Sequence, residues 1–382
     1  MIYLDNSATT KPYPEVLETY KTVAEKYFAN PSSVHGIGGE AERLLKQARQ
    51  IAADLLKVHA KEIVFTSGGT EADNMAVKGT AFYYRARGKH IITTEMEHPA
   101  VFEACQQLES FGFEVTYLPA HKNGQVSIND LEKAIRPDTT LVSMIHVNNE
   151  LGTIQPVEEA GRFLSQYPKI QFHVDHVQGV TKVPLNLKAA GIDLCSISGH
   201  KFHGPRGTGL LYMREGTNLM PLISGGDQED SVRSGTENLP GIVAMTKALR
   251  LGFDSAETGI PKLKALNEQL RKALQETDGI RINTPSLHAA PHIVNFSVEG
   301  VKPEVLIHAL EERGIYVSTK SACSSREGGA SRVLLAAGIP EKQAEEAIRV
   351  SLAFQNKEQD ITEIIKAIRE IVPDLRKVGG KA

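Results

Sequence analysis

Seven short β-rich runs, each separated from the next by polar or amphipathic sequence, restrict this chain more than any other feature. EIVFTS (62–67) leads into the helical stretch TEADNMAVKGTAFYYRARG, and HIITTE (90–95) leads into HPAVFEACQQLES. EVTYLP, TLVSMIHV, FHVDHV, LCSIS and GLLYM follow. Strands that alternate with helices predict βαβ units, hence a mostly parallel sheet covered by helices, an α/β fold. After about residue 255 the texture changes. PKLKALNEQLRKALQET predicts a long polar helix, and HIVNFSV, PEVLIHALEERG, another strand and ITEIIKAIREIV predict a smaller α+β unit.

Composition matters mainly for what it excludes. A net charge of -3 over 382 residues argues against a polybasic nucleic-acid binder. The three cysteines, Cys105, Cys195 and Cys323, are widely spaced and include no C-x-x-C pair. A disulfide framework or structural zinc site is therefore not expected, and reduced thiols fit the cytoplasm. MIYLDNSATT shows no secretory signal pattern, and no apolar run is long enough to span a bilayer.

Three stretches carry chemistry. In TSGGTEADN (66–74) a strand ends in two glycines and enters a helix. Free N–H groups and the helix dipole there favour an anion, and Thr70 adds a hydroxyl. In SISGHKFHGPRG (196–207), Ser198 and His200 offer donors to a phosphate. Lys201 sits at the end of an apolar strand, where desolvation favours a nucleophilic amine. In HVDHVQG (173–179), Asp175 inside a buried strand needs a cationic or donor partner, which a protonated pyridine nitrogen would supply. Gln178 suits a phenolic oxygen. His173 and Asp175 share a strand face, but no third ligand stands at metal spacing, so no metal is expected. An anion cradle, an acid and a lysine amine are together what pyridoxal phosphate requires. Cys323 stands apart, in STKSACSSREGGAS (318–331), a Ser/Gly-rich stretch without apolar periodicity.

These segments, with YLDNSATT (3–10), NPSSVHG (30–36), EHPAV (97–101), HVNNELG (146–152), RSGTEN (233–238), SACSS (321–325) and IRVSL (348–352), resemble the motifs of the NifS-like cysteine desulfurases. The resemblance runs over nearly the whole chain. It implies a fold-type-I pyridoxal phosphate enzyme with a large domain at 13–255 and a small domain formed by 1–12 and 256–382. Lys201 would carry the cofactor, Asp175 would hold the pyridine nitrogen and Gln178 the ring hydroxyl. Gly69, Thr70, Ser198 and His200 would bind the phosphate. Thr236 would reach the phosphate of a partner subunit, which implies a homodimer. His98 would stack on the ring and move protons, Asn149 would contact the cofactor, and Asn149 and Arg349 would hold the substrate carboxylate.

Cys323 would take sulfur from L-cysteine as a persulfide and pass it to an acceptor protein, for iron-sulfur cluster assembly or for tRNA or cofactor thiolation. Lys320 and Arg326 flank it and would favour thiolate. Cys105 and Cys195 read as packing residues. No membrane or nucleic-acid partner is expected. A selenocysteine lyase of the same fold is the alternative. His176 departs from the small residue usual in that family. Strand alternation predicts that it points away from the cofactor.

Overall fold

The computed structural model describes residues 1–319 and 329–379. Among these residues, twelve strands form three sheets. In chain order they are β1 (Ile2–Tyr3), β2 (Ile63–Thr66), β3 (His90–Thr94), β4 (Glu114–Leu118), β5 (Thr139–Ile145), β6 (Gln171–Asp175), β7 (Leu194–Ser198), β8 (Gly209–Met213), β9 (Ile280–Ile282), β10 (Ile293–Val298), β11 (Ile315–Tyr316) and β12 (Ala347–Ser351). The seven β-rich runs of the first half are β2 to β8. They form one sheet in the order β2-β8-β7-β6-β5-β3-β4. Only β8 runs against its neighbours among the described residues.

The residues of β5, β6 and β7 are buried on both faces. Their near-continuous apolar sequence follows from that double cover, because a parallel sheet packs helices on each side. The carboxyl ends of β2, β3, β5, β6 and β7 therefore lie along one margin of the sheet. In open α/β sheets that margin is where ligands bind.

The edge strand β2 is closed by an ion pair rather than another strand. Arg49 Nη1 donates to the Ile63 carbonyl at 2.5 Å, and Glu229 Oε2 accepts from the Phe65 N–H at 2.8 Å. The two side chains also form a bidentate pair at 2.7 and 2.6 Å. Glu229 reaches this position from a left-handed turn, with φ of 48°, 51° and 62° at Glu229, Asp230 and Ser231.

The remaining strands surround a second core. β9, β10 and β12 form an antiparallel sheet, and β1 pairs with β11 in parallel. Leu4 packs into this core with Phe296, Ile348 and Ile368. The change of texture near residue 255 falls inside one continuous helix, Leu239–Gln275. Its first half packs on the large-sheet core through Ile242, Met245 and Leu249. Its second half packs on the other core through Leu263, Leu266 and Leu270. PKLKALNEQLRKALQ (261–275) forms the latter part of that helix, with Glu276 as its C-cap. Pro261 resembles a first-turn proline in sequence but sits in the interior.

Candidate active site

A cavity of about 490 Å³ opens at the carboxyl margin of the large sheet. Gly69 and Thr70 line it where the chain leaves β2 and becomes helical. Asp175 lines it from the end of β6, and Val177 and Gln178 from the turn beyond. Ser198 lines it from the end of β7, with His200 and Lys201 from the following 3-10 turn. His98, Asn149 and Arg349 also line it. These residues are scattered over some 280 positions of sequence, and the sheet margin brings them together.

The electrostatics follow from burial. Asp175 is 3% exposed, and desolvation pushes its carboxyl up to about 6. A hydrogen bond from the Val177 N–H, at 2.9 Å, and the nearby Lys201 charge oppose that rise. Asp73, also buried, lines the same cavity, and desolvation and Asp175 raise its carboxyl well above the usual range. Lys201 Nζ donates to the carbonyls of Ser7 and Ala8, at 2.5 and 2.9 Å. Gln178 donates to the same Ser7 carbonyl at 3.0 Å.

His98 caps the helix Pro99–Ser110, and its Nδ1 accepts from the Ala100 N–H at 3.1 Å. Desolvation, with the charges of Lys201 and Arg332, lowers its pKa to about 4. The neutral ring therefore carries its proton on Nε2. His200 is lowered to about 4 by burial first, then by Lys201.

Arg349 sits on β12 and is 1% exposed. Its Nη1 donates to the Asn149 carbonyl at 2.8 Å, and its Nη2 donates to Asp5 at 3.0 Å and Ser318 at 2.7 Å. Its Nε has no partner among the described residues.

Some predicted residues lie elsewhere. Thr236 is exposed on a neighbouring small cavity that shares Ser67 and Gly207 with the first. Cys323, Lys320 and Arg326 lie outside the described residues. Cys105 and Cys195 are fully buried, and burial pushes both thiols up, which suits packing rather than reactivity. His173 bonds Ser143 and Ser196 at 2.8 and 3.0 Å. Among the described residues no group of three or more metal-ligating side chains occurs. His176 is buried outside the cavity, its Nδ1 2.8 Å from Nδ1 of His146.

Residue-level reading missed Asp5 and the roles of the Ser7 and Ala8 carbonyls. YLDNSATT held them, but a polar run without periodicity does not say which groups its backbone will serve.

A lysine and a buried acid lining one cavity with glycines and hydroxyl side chains define the class: an α/β enzyme with its site at the sheet margin. The chain belongs to the class-V aminotransferase family, whose pattern matches residues 2–364. A "NifS/IcsS protein homolog" of Lactobacillus delbrueckii subsp. bulgaricus is 47% identical over 380 residues, 99% of each chain. A "Cysteine desulfurase IscS" of Dictyoglomus turgidum is 42% identical over 99% of this chain and 96% of its own. A solved "NIFS-LIKE PROTEIN" superposes with a TM-score of 0.93 at 38% identity, covering 98% of this chain and all of that one.

Proposed function

We propose that this protein is a cysteine desulfurase. It takes sulfur from L-cysteine, releases L-alanine and holds the sulfur as a persulfide on Cys323. The observation that carries the reading is the meeting of Lys201, Asp175, His98 and Arg349 in one cavity at the end of the sheet. The two relatives named above, aligned over nearly the whole chain, support it.

The cavity fits pyridoxal phosphate. A Cβ on Gly69 would stand 2.8 Å from Val177 Cγ2 and 3.3 Å from Ser198 Cβ, so the cradle is kept open by the lack of a side chain. Asp175 is buried and its carboxyl is raised by desolvation, so a pyridinium placed against it would stabilise the ionised form. Bound there, the cofactor would supply an electron sink at the substrate's Cα.

The chain's own groups do the rest. Lys201 would hold the cofactor through its amine and would exchange protons at the substrate's Cα. Its amine leaves the Ser7 and Ala8 carbonyls to do so. His98 presents Nε2–H as a neutral donor, since the site resists placing a second charge beside Lys201. Arg349 grips the substrate carboxylate, a task that suits the planar guanidinium fork. The Cys323 thiolate attacks the substrate sulfur. The C–S bond breaks with its electron pair left on carbon, which takes a proton and departs as alanine.

Thr236, exposed beside the cavity, suits contact with a second subunit's cofactor phosphate in a homodimer. The sulfur then passes to an acceptor protein. No helix among the described residues is long and apolar enough to cross a membrane, and the free buried thiols suit the cytoplasm.

Borohydride reduction tests the first half of the chemistry. It is expected to fix the cofactor to the wild-type protein and not to Lys201→Ala; a fixed cofactor in the variant would move the attachment elsewhere. Single-turnover reaction with L-cysteine tests the second half. Wild type is expected to gain one sulfur on the peptide holding Cys323, while Cys323→Ala binds the substrate and releases little alanine. Faster turnover of L-selenocysteine than of L-cysteine, with Cys323 dispensable, would favour a selenocysteine lyase.

A further inference from the structure

We infer that Asp5 is a built-in carboxylate that competes with the substrate for Arg349 and so sets how tightly amino acids bind. The inference rests on Arg349 being the substrate clamp.

The guanidinium presents three edges. Nη1 is committed to the Asn149 carbonyl at 2.8 Å, which points that corner into the backbone. The edge formed by Nε and Nη2 is the one left for a carboxylate to approach with two oxygens. Nε is buried and without a partner among the described residues. Nη2 already donates to Asp5 Oδ1 at 3.0 Å and to Ser318 Oγ at 2.7 Å. Arg349 lines the cavity, while Asp5 does not. A carboxylate entering the cavity therefore meets an edge whose Nε is buried and unpaired among the described residues and whose Nη2 is already occupied. To bind through both N–H groups it must take a hydrogen from an existing anionic acceptor.

Two features make this arrangement more than a structural ion pair. Arg349 is 1% exposed, whereas the Asp5 side chain is 19% exposed, so the acid can turn toward water when displaced and the guanidinium cannot follow. Asp5 is also held by its backbone rather than its side chain. Its carbonyl accepts from the Ala8 N–H at 3.1 Å and the residue bridges to Ser351, so losing Arg349 does not release the segment. A buried arginine with no anion near it would be costly in the empty protein. Asp5 removes that cost, and the same contact weakens the hold on incoming carboxylates. Ser318 is a neutral acceptor on the same nitrogen and competes less.

The cofactor-loaded protein with the product L-alanine, which has no sulfur to give up, tests this, by calorimetric titration and thermal unfolding with and without the amino acid. Asp5→Asn keeps shape and an acceptor but removes the charge. The dissociation constant for L-alanine is expected to fall about five-fold, the factor between a charge-assisted and a neutral hydrogen bond. KM for L-cysteine is expected to fall with it, and kcat is not expected to rise. The melting temperature without ligand is expected to drop, with a larger upward shift on saturation than in wild type. Ser318→Ala is expected to change the constant less than Asp5→Asn. Asp5→Ser supplies the same test should Asp5→Asn not fold.

Unchanged or weaker binding in Asp5→Asn, with Arg349→Lys still weakening L-alanine strongly, would overturn the inference and leave Arg349 as the clamp. Unchanged binding in both variants would overturn the clamp itself.

Discussion

At the scale of single residues, the site works by denying water to groups that water would otherwise charge. His176 shows the limit of that rule outside the cavity. Its Nδ1 and that of His146 stand 2.8 Å apart, so one ring donates and the other accepts. Burial, with the charges of His146 and Lys182, depresses His176 well below its ordinary value, so the pair is neutral. A Cβ on Gly179 would lie 2.6 Å from the His176 ring, which leaves glycine as the residue that admits the pair. His176→Ala is therefore expected to cost about 1–3 kcal/mol in denaturant unfolding and to leave alanine release within a few-fold of wild type. A large loss of rate in a folded, cofactor-loaded variant would put His176 in the chemistry. Strand alternation was enough to turn His176 away from Asp175's face. The His146 partner was not readable, because it comes from another strand's exit loop.

At the scale of elements, β2 to β8 were all legible in sequence: β2, β3, β5, β6 and β7 are buried throughout, and the partly exposed edge strand β4 still carries β-branched and aromatic residues. The long helix was not. Pro261 mimics a helix start, and only the handover between two cores explains why the chain stays helical on both sides of it. The closure of β2 was equally invisible, because Arg49 and Glu229 are ordinary charged residues until the fold brings them together. Glu229 is buried and serves both Arg49 and the Phe65 N–H. Glu229→Ala is expected to cost about 3 kcal/mol, the low end for breaking a buried pair because Arg49 keeps some water. Glu229→Gln should cost less, since it retains an acceptor. Equal urea midpoints for wild type and Glu229→Ala would show that the edge is held by other means.

At the scale of the whole molecule, the balance of buried titrating groups sets the response to acid. Eight histidines among the described residues are depressed by burial, to about 4 for His98, His146, His200 and His203 and about 3 for His173; His90, His176 and His292 are also lowered. Unfolded, they titrate near the ordinary value of about 6.5. Between about pH 6.5 and 4 the unfolded chain binds protons that the fold refuses, so stability present above that window is lost as pH falls through it. Four carboxyls, Asp73, Glu97, Asp175 and Asp193, are raised and act in the opposite sense, but they are half as many. The cofactor-free protein is expected to melt at a lower temperature at about pH 5 than at about pH 7.5. An equal or higher melting temperature at the lower pH would show that the carboxyls dominate. The order of motifs along the chain made the site readable in outline. Its closing contacts were not, because they join residues that no local pattern relates.

The contact between Asp5 and Arg349 spans 344 positions. During synthesis the lysine and the glycine cradle emerge well before the arginine, while Asp5 waits from the start. The proposed carboxylate clamp is thus made only after the segments that carry Gly69 and Lys201. On the proposed reading, an amino acid finds its clamp only once Arg349 has been made.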